Sequence, residues 1–195
     1  EFRRVLFRSK TAQLCSMGYG KVDAVEISLR RSRTLNQNLK RLGMASKCNV
    51  VVEDGRNFKP GTPHGTSYVD GVLVDAPCSA TGVGSRRPDV LRKSIELTEL
   101  VSMQRELLFH AANNILEVGG VLVYATCSLL KQEGEDQINW LLSQAASATE
   151  KDLEMEAFSI LETVPFTQGE MPGFDDCIDQ NGWLRVIPGV LPGSY

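Results

Sequence analysis

The 195-residue sequence has two histidines, and its five cysteines are scattered, with no C-x-x-C pair. Zinc sites and redox-active dithiols need closely spaced ligands or thiols, so this spacing argues against a redox or zinc protein. An odd number of cysteines without framework spacing predicts free thiols in a reducing compartment. We therefore expect no metal.

Long apolar runs are also absent, since none approaches the roughly 18–20 residues that span a bilayer. No signal peptide is visible. The sequence thus predicts an intracellular, cytoplasmic protein without a membrane partner. An organellar or nucleolar location stays open for a eukaryotic source. Hydrophobic content of 42% and charged content of 23% are ordinary for one globular domain.

Charge is distributed unevenly along the chain. Residues 1–50 carry eleven Lys and Arg against three Asp and Glu, whereas residues 151–195 carry two against eight. A basic segment can attract a polyanion such as nucleic acid. Solvated helix faces explain the same pattern equally well.

Apolar β-formers alternate with helical patterns connected by short turns. The predicted strands are 22–27, 49–52, 72–74 and 121–124. A helical pattern follows Ser28, with Leu35, Leu39 and Leu42 on one face, and stops at Gly43. Further helical patterns run through 97–116, which Gly119 and Gly120 are predicted to end, and 135–142. This alternation predicts an α/β domain with a mainly parallel sheet and helices on both faces. Right-handed crossovers would then place the strand ends near residues 26, 54, 75 and 127 on one edge. Weaker patterns predict an antiparallel pair from 157–164 and 183–187.

Polar residues follow these strands at the edge where open α/β sheets bind ligands. Glu26 is suited to accept hydrogen bonds from ribose hydroxyls, and Asp54 could receive an adenine amino group. Either acid alone could simply be solvated. Together they modestly favour a nucleoside cofactor.

Two cysteines also follow strands instead of lying within them. Cys78 comes after Val72–Val74 and Pro77, and Cys127 follows the next apolar strand. Each is followed by a serine. A thiolate is the competent nucleophile, and a free thiol with a pKa near 8.5 needs help from its surroundings to ionise. Packing is the simpler explanation for Cys15 and Cys48.

Several motifs in this order resemble the Nol/Nop/Sun RNA cytosine-5 methyltransferases, and among them the Sun-type enzymes that are similar to ribosomal RNA small-subunit methyltransferase B. The paired cysteine motifs are Asp-Ala-Pro-Cys-Ser at 75–79 and Thr-Cys-Ser at 126–128. Matching segments lie at 10–14, 25–26, 38–43, 53–55, 86–89 and 182–188. The resemblance covers residues 10 to about 190.

The resemblance implies a Rossmann-like S-adenosylmethionine-dependent methyltransferase fold. It implies that Cys127 adds to carbon 6 of cytosine, that Cys78 assists release, and that Asp75 binds the cytosine edge or orients the cofactor. The implied cofactor-binding residues are Lys10, Glu26, Asp54 and Asp75, and the implied RNA-binding residues are Arg86 and Arg87. A solvated loop explains the two arginines as well. Ribosomal RNA is the first expected partner and transfer RNA the second, while the oligomeric state is not readable from the sequence.

The chain departs from the family before Lys10. The family has a strand and a glycine-rich loop there, whereas this sequence has Phe7-Arg8-Ser9. Glycines at that position allow the backbone to approach a cofactor at a helix N-terminus. We therefore predict that residues 1–9 are a foreign segment and that 10–195 form an incomplete catalytic domain, with the first strand and its loop truncated or replaced. Such a chain would bind the cofactor poorly or be inactive.

Two other classes remain open. DNA cytosine-5 methyltransferases also use a Pro-Cys nucleophile, but they lack the second strand-end cysteine and carry a Glu-Asn-Val motif not found here. A non-catalytic RNA-binding fragment of the same fold is the second. The two cysteines argue against it, and the missing loop argues for it.

Overall fold

The computed structural model describes residues 9–18, 21–61, 68–92, 96–148, 162–170 and 173–186. The chain divides into two compact units, Glu1–Val69 and Asp70–Tyr195. Most of the segment predicted to be foreign, residues 1–8, lies outside the described residues. Its last residue begins the first helix.

The first unit alternates helices and strands in the order α1 Ser9–Ser16, β1 Val22–Val25, α2 Leu29–Arg41 and β2 Cys48–Val51. Strands β1 and β2 pair in parallel, with Val22 opposite Cys48 and Val25 opposite Val51. The pairing continues one residue further, because the amide of Glu26 donates to the carbonyl of Val51 at 3.0 Å. Within this unit the two strands therefore end side by side, as predicted.

Helix α2 begins and ends where the sequence predicts. Ser28 is the N-cap, and its side chain accepts from the amide of Arg31 at 3.4 Å. Gly43 follows the helix with a φ of 70°, a left-handed conformation that favours glycine. Of the three leucines expected on the buried face, Leu35 and Leu39 are buried. Leu42 is 41% exposed, because it lies past the last helical turn as the C-cap.

The core of the first unit forms where α1 and α2 cover the strands. Its buried members are Cys15, Leu35 and Leu39, and partly buried residues around them include Val22, Val50 and Cys48. The two cysteines therefore pack as small apolar side chains, as predicted.

The second unit contains all but the first residue of β3 Val69–Asp75, followed by α3 Leu97–His110, β4 Leu116–Ala125 and α4 Glu135–Ala148. Strands β3 and β4 are neighbours in a two-stranded sheet. Gly71 lies against the carbonyl of Val121, and the amide of Ala76 donates to the carbonyl of Ala125, so both strands run in the same direction. The order strand, helix, parallel strand is that of an α/β domain, which confirms the predicted fold class.

The expected helix over 97–116 is shorter than predicted. Helix α3 ends at His110, a π-helical turn covers Ala111–Ile115, and β4 begins at Leu116. The two glycines predicted to end the helix therefore lie inside the strand. A Cβ at Gly120 would come within 2.9 Å of the carbonyl of Asp70, so glycine allows the close approach of β3.

The core of the second unit lies between α3 and α4. Leu108, Leu141 and Ala145 are buried there, and the guanidinium of Arg105 lies 5.2 Å from the ring centre of Trp140. Burial of these side chains is the main contribution to holding the two helices together.

The last described segment pairs differently from the prediction. Leu184 forms an antiparallel bridge with Ile178 instead of with a strand at 157–164. Residues 157–161 lie outside the described residues, and 162–164 have no regular structure. The segment is anchored by Arg185, which forms an ion pair with Glu135 and donates to the carbonyl of Leu129 at 2.8 Å.

None of the described helices is long and apolar enough to span a bilayer. Within the same residues, no group of three or more His, Cys, Asp or Glu side chains is arranged to hold a metal ion.

Candidate active site

The loops that follow β3 and β4 come together at one end of their sheet. After the Ala76–Ala125 hydrogen bond, the amide of Gly82 donates to the carbonyl of Cys127 at 2.9 Å. A Cβ at Gly82 would lie 2.8 Å from that oxygen, so only glycine lets the two loops approach this closely. The loops carry Cys78 and Cys127, and their predicted convergence is confirmed.

The sulfur atoms of Cys78 and Cys127 are 3.2 Å apart, and both thiols are free and partly buried. One sulfur therefore donates its proton to the other. The hydrogen bond from Cys127 lowers the pKa of Cys78 to about 6, despite the opposing effect of burial. The same hydrogen bond raises the pKa of Cys127 well above the ordinary thiol value, and burial and the charges of Cys78 and Asp75 add to this.

Cys78 has further donors that favour its thiolate. The side chain of Thr126 and the amides of Ala80 and Cys127 all lower its pKa. The pKa shifts therefore favour the negative charge of the pair on Cys78 and the proton on Cys127. The sequence predicts Cys127 as the attacking thiolate, so one proton must pass from Cys127 to Cys78 before attack.

A chain of hydroxyl groups joins the two loops behind the thiols. The oxygens of Ser79 and Ser128 are 3.0 Å apart, and Thr81 Oγ1 lies 3.2 Å from Ser128 Oγ. Thr81 also accepts from the amide of Leu129 at 2.9 Å. The serine that follows each cysteine thus fixes its loop against the other loop.

Glu133 is fully buried at the end of this chain. One carboxylate oxygen accepts from the amide of Ser79 at 2.8 Å and from Gln104 Nε2 at 3.0 Å, and the other accepts from Ser79 Oγ at 2.5 Å. Burial by itself would raise the pKa of Glu133. Hydrogen bonds from Ser128, Ser79 and Gln104 outweigh it and hold the pKa below its ordinary value.

Ala80 is the one non-glycine residue with positive φ in the described part of the chain, at 58°. A left-handed conformation costs an L-residue about 1–2 kcal/mol. Ala80 follows Ser79, and its amide donates toward Cys78. Local strain thus coincides with the turn that presents a thiol, as is common at functional sites.

Asp75 ends β3 and is exposed. Its negative charge helps to raise the pKa of Cys127, which indicates that the carboxylate and that thiol are near each other. The structure thus brings together three predicted catalytic residues: Asp75, Cys78 and Cys127.

The predicted cofactor-binding residues of the first unit already interact with other residues of the protein. Glu26 follows β1, and its Oε1 accepts from the amide of Ser28 at 2.8 Å and from Arg31 Nε at 2.9 Å. Both of these contacts use Oε1. Lys10 lies in α1 with an exposed side chain.

Asp54 has more hydrogen bonds than Glu26, because both of its carboxylate oxygens accept from Arg56. Arg56 donates to both of its carboxylate oxygens, through Nε at 3.0 and 3.1 Å and through Nη2 at 2.6 Å, and its amide donates at 3.0 Å. These hydrogen bonds lower the pKa of Asp54. An adenine amino group would have to compete with Arg56 for this carboxylate.

The two predicted RNA-binding arginines lie in the turn between Thr81–Val83 and Pro88–Arg92. Their backbone amides both donate to the carbonyl of Val83. Both side chains are exposed, and that of Arg87 pairs with Asp89 at 2.8 Å, which raises the arginine's pKa. A phosphate would exchange with this carboxylate at Arg87.

Sequence reasoning missed Glu133, Gln104, Thr81 and the strained Ala80. Glu133 lies in the polar run Lys-Gln-Glu-Gly-Glu-Asp at 131–136, where nothing distinguishes it from its acidic neighbours. Gln104 lies on an amphipathic helix and reads as a surface residue. Only the fold shows that both are completely buried.

Comparison with known proteins gives a consistent result. The sequence profile of the family described as 16S rRNA methyltransferase RsmB/F matches residues 8–188. Ribosomal RNA small subunit methyltransferase B of Enterobacter sp. (strain 638) is 45% identical over 130 residues, which are 66% of this chain and 29% of that protein. Ribosomal RNA small subunit methyltransferase F of Cronobacter sakazakii is 34% identical over 189 residues, 93% of this chain and 35% of that protein.

A solved structure is also similar to this chain. The crystal structure of PH0851 superposes with a TM-score of 0.60 at 30% identity, covering 80% of this chain and 32% of that one. The chain thus spans about a third of the length of the proteins that it matches. The family profile covers all of the described residues, including both cysteine loops. The chain belongs to the RsmB/F family of 16S rRNA methyltransferases.

Proposed function

We propose that this protein transfers a methyl group from S-adenosylmethionine to carbon 5 of a cytosine in ribosomal RNA, through a covalent bond between Cys127 and carbon 6. The observation that carries the proposal is the contact of two free thiols, 3.2 Å apart, on loops that follow adjacent parallel strands. Family membership supports the methyltransferase reaction, and the relatives named for ribosomal RNA support the choice of RNA.

The thiol pair suits this chemistry. Carbon 5 of cytosine is a poor nucleophile until a thiolate adds to carbon 6 and converts the ring into an enamine. The thiolate of Cys78 accepts the proton of Cys127 across their hydrogen bond, and the thiolate of Cys127 then forms the bond to carbon 6. Asp75, near Cys127, binds the N3 and amino edge of the base or orients the cofactor.

The remaining steps return the pair to its starting state. S-adenosylmethionine supplies a sulfonium-activated methyl group to which carbon 5 is the nucleophile. Loss of the carbon 5 proton then restores the double bond as the thiolate of Cys127 leaves carbon 6. Cys78, which has passed its own proton to solvent, is the nearest thiolate to accept the carbon 5 proton. The base must be unstacked from its RNA for these steps.

The residues at the end of β1 fit the nucleoside part of S-adenosylmethionine. Glu26 would accept from the ribose hydroxyls through Oε2, since its contacts with Ser28 and Arg31 use Oε1. Asp54 fits less well because Arg56 already occupies both of its oxygens. Lys10 would add a positive charge, and Arg86 and Arg87 would contact RNA phosphates.

A trapping experiment tests the mechanism. The protein, with a glycine-rich loop of the family restored before Lys10, is incubated with methyl-tritiated S-adenosylmethionine and either small-subunit ribosomal RNA or transfer RNA. Tritium in the RNA and protein–RNA adducts on a denaturing gel are both measured. We expect transfer to ribosomal RNA by the loop-restored protein with both cysteines. An adduct should accumulate in Cys78→Ala, where Cys127 gives its proton to solvent and no neighbouring thiolate accepts the carbon 5 proton. The adduct should be absent in the double variant Cys78→Ala, Cys127→Ala.

The outcomes separate the parts of the proposal. Cys48→Ala is the matched control, because this packed thiol should not affect either readout. Preferred labelling of transfer RNA would overturn the choice of substrate. Methyl transfer that survives in Cys127→Ala would overturn the thiolate mechanism, and no transfer by the loop-restored protein with both cysteines would overturn the proposed activity.

A further inference from the structure

We propose that Glu133 is a positioning residue whose ionised carboxylate locks the two cysteine loops together and so holds the sulfur atoms of Cys78 and Cys127 in contact. This inference rests on the proposed function for its catalytic consequence. Its structural part concerns only the second unit. Glu133 does not touch either thiol in any described contact; it acts through the residues that follow them.

The burial of Glu133 needs an explanation. Its exposure is 0%, and the partners described above are the neutral groups of Ser79, Gln104 and Ser128. Burying a carboxylate is costly unless hydrogen bonds replace those to water. Three donors converge on its two oxygens, and this set favours the ionised form. A charge kept at this cost in the core indicates a specific structural requirement.

Three donors face the carboxylate of Glu133. The amide of Ser79 and Nε2 of Gln104 both point at one oxygen, and the hydroxyl of Ser79 points at the other. A carboxylate accepts all three hydrogen bonds, whereas the NH₂ group of a glutamine would donate to the oxygen of Ser79 and turn the proton of that hydroxyl away. Glutamine would therefore keep nearly the same shape, but it would remove the charge and reverse the hydroxyl chain.

The charge also sets the direction of the hydroxyl chain. A serine hydroxyl has one proton, and Ser79 gives it to Glu133, so the oxygen of Ser79 remains to accept from Ser128, whose hydroxyl also points toward Glu133. Ser128 in turn accepts from the amide of Leu130 at 3.1 Å, and Thr81 donates to Ser128. Every proton in the chain points toward the carboxylate, which gives a single arrangement of the two loops.

Glu133 is itself held in place from two sides. Gln104 bridges from α3, since its Nε2 also donates to the carbonyl of Pro77 at 2.8 Å. Tyr124 of β4 donates from its hydroxyl to the backbone carbonyl of Glu133 at 2.8 Å. The carboxylate is thus fixed to both the strand and the helix that frame the thiol pair.

The test compares Glu133→Gln with Glu99→Gln, an exposed acid on α3. Two readouts are measured: kcat and KM for methyl transfer, and the pH dependence of Cys78 alkylation by iodoacetamide, followed by peptide mass. For Glu133→Gln we expect kcat to fall roughly 10- to 100-fold, as for a small misplacement of reacting groups, with KM within about threefold. The alkylation midpoint should rise toward that of an ordinary thiol. Glu99→Gln should match the unmodified protein.

A double-mutant cycle keeps the proposal falsifiable if Glu133→Gln folds poorly. Ser79→Ala removes the hydrogen bond from the Ser79 hydroxyl to Glu133 by a smaller change of side chain. The kcat of the double variant should fall little below that of the more impaired single variant. An unchanged alkylation profile in both single variants would overturn the proposal. So would additive losses of kcat in the double variant. If the loop-restored protein transfers no methyl group, the proposed function fails, whereas the alkylation profile still decides the role of Glu133.

Discussion

Cys78 and Cys127 are 49 residues apart in the chain, yet their sulfur atoms lie 3.2 Å from each other. The parallel pairing of β3 and β4 produces this contact, because it brings the ends of two successive strands to the same place. The hydrogen bond within the pair gives its thiols opposite pKa shifts. One proton shared between them lets either cysteine be the thiolate at a different step.

The first prediction concerns thiol reactivity. In Cys127→Ala, the S–H donor to Cys78 is lost, so the alkylation midpoint of Cys78 should rise from about 6 toward the ordinary thiol value. Because a lowered pKa leaves the thiolate present above pH 6, the unmodified protein should be labelled at Cys78 at pH 7. Cys48 should stay unlabelled there, since burial raises its pKa to about 12. An unchanged midpoint in Cys127→Ala would show that the thiols do not share a proton.

The second prediction concerns the approach of the two loops. In Gly82→Ala the new methyl group would lie 2.8 Å from the carbonyl of Cys127, so the loops must separate. We expect methyl transfer to fall roughly 10- to 100-fold. Gly71→Ala is the matched control, because its methyl group would lie at an ordinary 3.7 Å from the carbonyl of Val121. Equal activities of the two variants would contradict this explanation.

The third prediction concerns the strained turn. Ala80→Gly should relieve about 1–2 kcal/mol of left-handed strain at an entropic cost of about 0.5–1 kcal/mol. The free energy of unfolding in urea should therefore rise by about 0.5–1 kcal/mol. Ala76→Gly, at a buried alanine with negative φ, should lower it instead. A loss of stability in Ala80→Gly would show that the turn is not strained.

The fourth prediction concerns the cofactor. Glu26→Gln should weaken binding of S-adenosylmethionine by roughly 10- to 100-fold, the usual cost of losing hydrogen bonds to a charged group. Asp54→Asn should weaken it by less than about threefold, because Arg56 already occupies that carboxylate. Isothermal titration calorimetry measures both. A larger effect of Asp54→Asn would show that Arg56 gives way to the adenine.

Much of this arrangement follows from local sequence patterns. Ser28 and Gly43 mark the ends of α2, and the two apolar strands deliver Cys78 and Cys127 because parallel strands must end on the same side. Each helix cap, and each strand with the cysteine that follows it, is formed by residues close together in the chain. The positions of Glu26 and Asp54 after their strands follow from the same logic.

Features that depend on tertiary contacts could not be predicted in this way. Gly119 and Gly120 read as a helix stop, yet they lie inside β4 because β3 passes so near. Glu133 reads as a surface acid, since its partners come from positions 29 and 54 residues earlier in the chain. The arginine partners of Glu26 and Asp54 also depend on side-chain geometry.

The fifth prediction concerns acid stability and follows from the buried carboxylate. The pKa of Glu133 is lower in the folded protein than in the unfolded chain, so its ionised form contributes stability above the unfolded pKa, and this contribution is lost as the pH falls through the folded pKa. Between pH 6 and pH 3, the free energy of unfolding of the unmodified protein should therefore decrease more than that of Glu133→Gln, which has no charge to lose. Urea titrations followed by circular dichroism at each pH measure the difference. Glu99→Gln should keep the steeper dependence, and a parallel decrease in all three proteins would mean that Glu133 is not ionised in the core.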